Sequence, residues 1–151
     1  MDLTEYLAPE RVVLLAGTGK AEALERLVEA IAPAAEGVSP EQIAQAVWKR
    51  ERLMSTGIGQ GVAIPHVRLP GLSEAVMAVG VSREGLADYP SLDGQPVHIL
   101  VLIAAPQGQH DKYIRLLAMA AEVFKRGDLR EAILRAEAPA EVYRIFTGGA
   151  R

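Results

Sequence analysis

The chain has 151 residues, half of them hydrophobic but only 5% aromatic, with no Cys and a formal net charge of −3. Such a length suits one domain, with a core that Leu, Val, Ile and Ala must build. The missing thiols exclude disulfides, thiolate nucleophiles and thiolate metal sites, and the mild, interspersed charge argues against a nucleic-acid partner.

The first residues, Met1-Asp2-Leu3-Thr4-Glu5, show no basic segment ahead of an apolar run, so no signal peptide is expected. Val12-Val13-Leu14-Leu15 reads as a short strand. From Gly19 to Ala32, apolar residues at Ala23, Leu24, Leu27, Val28 and Ile31 form a helical stripe. Ser39-Pro40-Glu41-Gln42 is a helix start: a capping Ser, a Pro at the first helical position, and a Gln that completes a capping box. This helix is predicted to run to about Leu53. A Gly-rich turn leads to a buried strand, Val62-Ala63-Ile64, stopped by Pro65. Ala75 to Val81 and Val97 to Ala104 read as two further strands, the second apolar almost throughout, as in a central strand covered on both faces. Helices are predicted over Asp111–Lys125, Asp128–Arg135 and Pro139–Phe146, followed by a fraying tail from Thr147.

The alternation of strands and helices predicts an α/β (α+β) fold, a mixed sheet flanked by helices on both faces, in a single domain over residues 1–151. The longest apolar run, Ile99 to Ala105, falls well short of the ~20 residues of a spanning helix. A cytoplasmic protein without direct membrane insertion is therefore expected.

The segment from Arg50 to His66 carries the chemistry. A capped helix, a turn containing Gly57, Gly59 and Gly61, a short strand and a rigid Pro65 hold His66 just past a strand end, fixed yet near the surface. A histidine titrating near pH 6.5 keeps a neutral, nucleophilic nitrogen at pH 7, which suits phosphoryl transfer. Such transfer is mainly positioning and charge stabilisation. Gly-rich turns can converge N–H groups on an anion, and Ser55 and Thr56 can add hydroxyl donors. Arg50 shares a stripe with Ile43, Val47 and Met54, whereas Glu41, Gln45, Lys49 and Arg52 fall outward. An inward Arg could clamp a phosphoryl group. On spacing alone, snorkelling or bonding to the last helical carbonyls is the plainer account. The Gly spacing is not G-x-G-x-x-G, and a strand rather than a helix follows, which rules out a dinucleotide loop.

Ser55-Thr56-Gly57-Ile58-Gly59, followed by Gly61-Val62-Ala63-Ile64-Pro65-His66, resembles the active-site signature of the phosphotransferase-system enzyme IIA domains of the fructose–mannitol class, most of all the nitrogen-regulatory type. The similarity continues through Arg68-Leu69-Pro70-Gly71, Asp93-Gly94-Gln95-Pro96-Val97 and Leu116-Leu117-Ala118 with Phe124. The resemblance implies a phosphohistidine carrier rather than a free-standing small-molecule enzyme. His66 would be the acceptor and Arg50 would steady the phosphoryl group. The donor would be an HPr-type histidine phosphocarrier, and the recipient an enzyme IIB or a regulated protein. It implies no metal and no organic cofactor.

Two positions depart from the family pattern. Val67 stands where a small residue is usual, and its bulk could narrow the approach to His66. Tyr113 stands where many members carry a second histidine. Tyr113 shares a face with Leu117, Ala120 and Phe124, so its hydroxyl could reach a phosphoryl oxygen or sit at the rim of an ordinary core residue. It cannot supply a cation, and His110, one turn earlier, could swing in instead. His98 shows no polar partner and reads as structural. These departures keep open an alternative, a binding module that has lost phosphotransfer and regulates a transporter or enzyme by surface contact.

Overall fold

A computed structural model describes residues 2–16 and 19–149. Its elements run in the order β1 (Val12–Leu15), α1 (Lys20–Ile31), α2 (Pro40–Leu53), β2 (Gly57–Gly59), β3 (Val62–Ala63), β4 (His66–Leu69), β5 (Val76–Leu86), β6 (Val97–Pro106), α3 (His110–Phe124), α4 (Gly127–Arg135) and α5 (Pro139–Gly149). The strands form one mixed sheet in the order β1-β5-β6-β3-β2, with β4 also pairing β6. The antiparallel β5–β6 pair lies at the centre; β1 joins β5 in parallel, and β3 and β4 join β6 in parallel.

Period-two alternation divides the apolar residues of β6 between two cores. Ile99, Val101, Ile103 and Ala105 pack with Leu116, Ala120 and Phe124 of α3 and with Val142 and Phe146 of α5. Leu100, Leu102 and Ala104 pack with Leu24 and Leu27 of α1 and Ile43 and Val47 of α2. Helices therefore cover both faces, and the apolar run of β6 is explained by its place between them. The capping box at α2 forms as its sequence indicates: the Ser39 hydroxyl accepts from the Gln42 N–H, and the Ser39 N–H donates to the Gln42 side chain at 2.7 Å.

Several boundaries differ from the sequence reading. Pro65 does not end the chain's pairing with β6. Val62 and Ala63 face Ile99 and Leu100, and His66 to Leu69 face Ile103 to Pro106 in the same register. Pro65 has no N–H to donate to β6 and so interrupts the ladder locally, dividing this line of chain into β3 and β4; its carbonyl still accepts from the Ile103 N–H. His66 thus opens a strand instead of following one. β5 runs past Val81 to Leu86, with a register shift between those residues where Ser82-Arg83-Glu84-Gly85 looks like a turn. Helix α5 continues through Thr147, which is buried and donates its hydroxyl to the Tyr143 carbonyl, so the expected fraying does not begin there. Among the described residues, no helix is long and apolar enough to cross a membrane.

Candidate active site

The free side of β4 meets the end of α2 and the start of α3 at a cavity of about 550 Å³. It is lined by His66 and Arg68 of β4, Lys49, Arg50 and Leu53 of α2, and Tyr113 of α3, among others. Alternation along β4 turns Val67 and Leu69 into the core beneath α1 and α2. His66 and Arg68 accordingly face the other side, towards α3. Three cationic side chains line the cavity, and no carboxylate does.

His66 is half-buried, and its Nδ1 lies 2.6 Å from the Ile64 carbonyl oxygen. A carbonyl only accepts, so Nδ1 carries the proton and Nε2 keeps its lone pair. Burial pushes the His66 pKa below 6.5; the Ile64 bond opposes this, the Arg50 charge adds to it, and Glu51 opposes it. A neutral imidazole with an available Nε2 is the nucleophilic form. The Tyr113 ring stands 5.8 Å from the His66 ring, and burial raises the phenol pKa, so it remains a proton donor.

Arg50 is half-buried in the last turn of α2 and donates to the Met54 carbonyl at 2.8 Å. Arg50 thus bonds the carbonyl of the residue that caps α2 and also lines the cavity that holds His66. Met54 leaves the stripe it was assigned to, since it is the extended cap of α2 and 70% exposed. Gln45 and Lys49 lie outward as expected, yet they form the open wall of the cavity.

The other expected site residues fall elsewhere. Thr56 is buried and donates its hydroxyl to Glu51 at 2.6 Å. Ser55 donates to the Pro90 carbonyl at 2.6 Å. The N–H groups of Gly57, Gly59 and Gln60 donate to Ser55, Ser91 and Asp93. None of these groups lines the cavity, and the Gly-rich segment latches onto the 90–93 loop instead of forming a cradle at His66. Its glycines are needed for that latch. A Cβ on Gly57 would stand 2.3 Å from the Pro90 carbonyl oxygen, and Gly61 holds φ at 76° in the β2–β3 turn. His110 begins α3, is exposed and is absent from the cavity wall; its Nδ1 accepts from Arg68 at 3.2 Å. Val67 is buried in the core beneath α1 and α2 and also forms part of the cavity wall next to His66. His98 does have a polar partner, the Ser82 carbonyl at 2.9 Å.

Sequence reasoning missed Glu51. Its carboxylate is almost fully buried, 3.0 Å from Lys20 Nζ, and accepts from both the hydroxyl and the N–H of Thr56. Because the Thr56 hydroxyl gives its proton to Glu51, the Tyr89 hydroxyl donates to Thr56 at 2.7 Å. Lys20 lies over the Tyr89 ring, and burial pushes the Tyr89 pKa up. The network ties the start of α1, the end of α2 and the Gly-rich segment together directly behind Arg50. A signal was present: Ile43, Val47 and Glu51 follow i, i+4, i+8 spacing, which puts an acid on the buried stripe.

The sequence matches the family described as "Phosphoenolpyruvate-dependent sugar phosphotransferase system, EIIA 2" over residues 5–148. The chain belongs to that family. This EIIA domain is 31% identical over 144 residues to a nitrogen regulatory protein of Pseudomonas aeruginosa, covering 95% of this chain and 93% of that protein. It is 32% identical over 138 residues to the fructose-specific EIIABC component of Bacillus subtilis, covering 91% of this chain but 22% of that longer protein. Its structure resembles that of the nitrogen regulatory protein IIA-Ntr from Neisseria meningitidis with a TM-score of 0.88, at 27% identity, covering 96% of this chain and 99% of that one. The EIIA domain is thus similar both to stand-alone regulatory proteins and to the IIA portion of a larger transport component.

Proposed function

We propose that this EIIA domain carries a phosphoryl group on Nε2 of His66, received from an HPr-type histidine phosphocarrier. The observation that carries this reading is the fixed Nδ1–H···O=C bond from His66 to Ile64 at a cavity whose lining includes Lys49, Arg50 and Arg68.

In the transfer, the His66 Nε2 lone pair attacks the donor's phosphorus. The donor's P–N bond breaks, its electron pair stays on the donor nitrogen, and the Nε2–P bond forms. Nδ1 keeps its proton throughout. The product ring is therefore imidazolium-like, and the Ile64 carbonyl stabilises it by a charge-assisted bond. That same proton makes His66 a neutral leaving group when the phosphoryl group moves on. Arg50 offsets the charge on the transferring oxygens, and the Tyr113 phenol donates a hydrogen bond to one of them. The extent of the match to nitrogen regulatory proteins favours a regulatory role, in which phosphorylation state is read by an enzyme IIB or another partner protein.

The test is intact-protein mass after incubation with phosphoenolpyruvate, enzyme I and HPr. Wild type gains one acid-labile phosphoryl mass and His66→Ala gains none. No gain in wild type with HPr or its nitrogen-branch relative would return the domain to a binding module without phosphotransfer.

A further inference from the structure

We propose that Arg68 is a second phosphoryl-binding residue, and that by leaving His110 for the phosphoryl group it relays the phosphorylation state of His66 to the first turn of α3. The proposal rests on the reading of His66 as the acceptor.

Arg68 follows His66 by two positions on β4, so both side chains leave the same face of the sheet about 7 Å apart. The Arg68 guanidinium lies 5.5 Å from the centre of the Tyr113 ring, and that ring stands 5.8 Å from His66. All three line one cavity. The positive charges of Arg68 and Arg50 both act on the Tyr113 phenol. A phosphoryl group on His66 would therefore face Arg50 from α2 and Arg68 from β4, with the phenol beside them.

The present engagement of Arg68 is one it can surrender. Its Nη1 donates to His110 Nδ1 at 3.2 Å, a long bond to a neutral nitrogen. Because Arg has donors only, His110 Nδ1 must accept, and its proton sits on Nε2. This is the opposite tautomer to that of His66, which leaves His110 with no lone pair to offer beyond the Arg68 bond. Phosphorylation adds roughly −1.5 to −2 of charge. A guanidinium–phosphoryl bond is charge-assisted at both partners and stronger than one to a neutral imidazole. The exchange releases Nδ1 of His110, an exposed residue one turn from Ile114, which is 50% exposed. The two phosphorylation states then differ on a surface outside the cavity, where a partner can read them.

The test phosphorylates the protein with phosphoramidate, a small donor that needs no protein docking, and in parallel with phosphoenolpyruvate, enzyme I and HPr. Uptake is followed by mass, and the His110 ring nitrogens by long-range ¹H–¹⁵N NMR. In wild type, phosphorylation of His66 shifts the His110 Nδ1 resonance. Arg68→Gln takes phosphate from phosphoramidate about tenfold more slowly, the loss of one charge-assisted bond, and Arg68→Lys recovers part of that rate. Uptake by Arg68→Gln at the wild-type rate, or a His110 resonance that stays put when His66 is phosphorylated, overturns the proposal while His66 stands. A wild type that takes no phosphoryl group from either donor overturns both.

Discussion

The Nδ1–H of His66 donates to the carbonyl of Ile64, two residues earlier in the chain, at 2.6 Å. Pro65 stands between them and holds that carbonyl in place by fixing its own φ. The tautomer of the His66 ring is thus set by the backbone just ahead of the strand that carries it. This contact gives Ile64-Pro65-His66 a physical logic: a rigid break between two strands, an anchored proton and a second ring nitrogen left with its lone pair.

The pH dependence follows from burial. His66 titrates below 6.5 in the folded protein. Acceptance should rise with pH through that depressed midpoint and be flat above 6.5 in wild type. The stability term has the same direction. Between the two midpoints the unfolded chain binds more protons, so this group contributes a loss of stability as pH falls below 6.5, complete once pH is under the folded value. An NMR titration of the His66 ring checks this, and a midpoint above 6.5 would contradict it; His66→Gln should lack the term.

Arg50→Gln removes a cation from the cavity and a donor from the Met54 carbonyl. Transfer should slow by about 10²-fold, as for other lost donors to developing charge, while stability falls by only about 1 kcal/mol. Single-turnover phosphorylation and denaturant titration separate the two. A stability loss with an unchanged rate would make Arg50 a helix clamp alone.

Glu51→Ala leaves Lys20, largely buried, without its carboxylate and the Thr56 N–H without an acceptor, while the Thr56 hydroxyl can turn its proton to Tyr89. The expected cost is about 3 kcal/mol, the low end for a broken buried pair because Lys20 retains some contact with water. Urea unfolding measures it; a loss under about 1 kcal/mol would show that the network does not hold the end of α2.

Tyr113→Phe keeps the ring against the core and removes the hydroxyl. Folding stability should change by no more than about 0.5 kcal/mol, while the rate of phosphoryl acceptance drops about tenfold through one lost bond to a charged group. An unchanged rate would leave Tyr113 as a wall of the cavity only.

The long-period features were legible in the sequence because they are local. The capping box at Ser39, the stripes of α1 and α3 and the apolar run of β6 each contain their own cause. β4 was not legible, because Pro65 reads as a stop, and only the tertiary pairing of His66 to Leu69 with β6 shows that the line resumes. Nor was β2, whose Gly57-Ile58-Gly59 has no strand pattern; Gly59 is held by Ser91, and Gln60 just beyond it by Asp93, each more than thirty residues on. Arg50, His66 and Tyr113 could be nominated from spacing and resemblance, and they meet at one cavity. The engagement of Thr56 by Glu51, and of Ser55 by Pro90, depends on tertiary contacts. A Ser-Thr-Gly run in isolation reads as an anion cradle, although these hydroxyls in fact brace the backbone behind Arg50.

The most direct test of the central claim is a long-range ¹H–¹⁵N correlation of the three histidine rings before and after phosphorylation by phosphoenolpyruvate, enzyme I and HPr. The account predicts a His66 ring protonated at Nδ1 beforehand and phosphorylated at Nε2 afterwards, with Nδ1–H retained. Phosphorylation at Nδ1 of His66, or on His110 or His98, would contradict it.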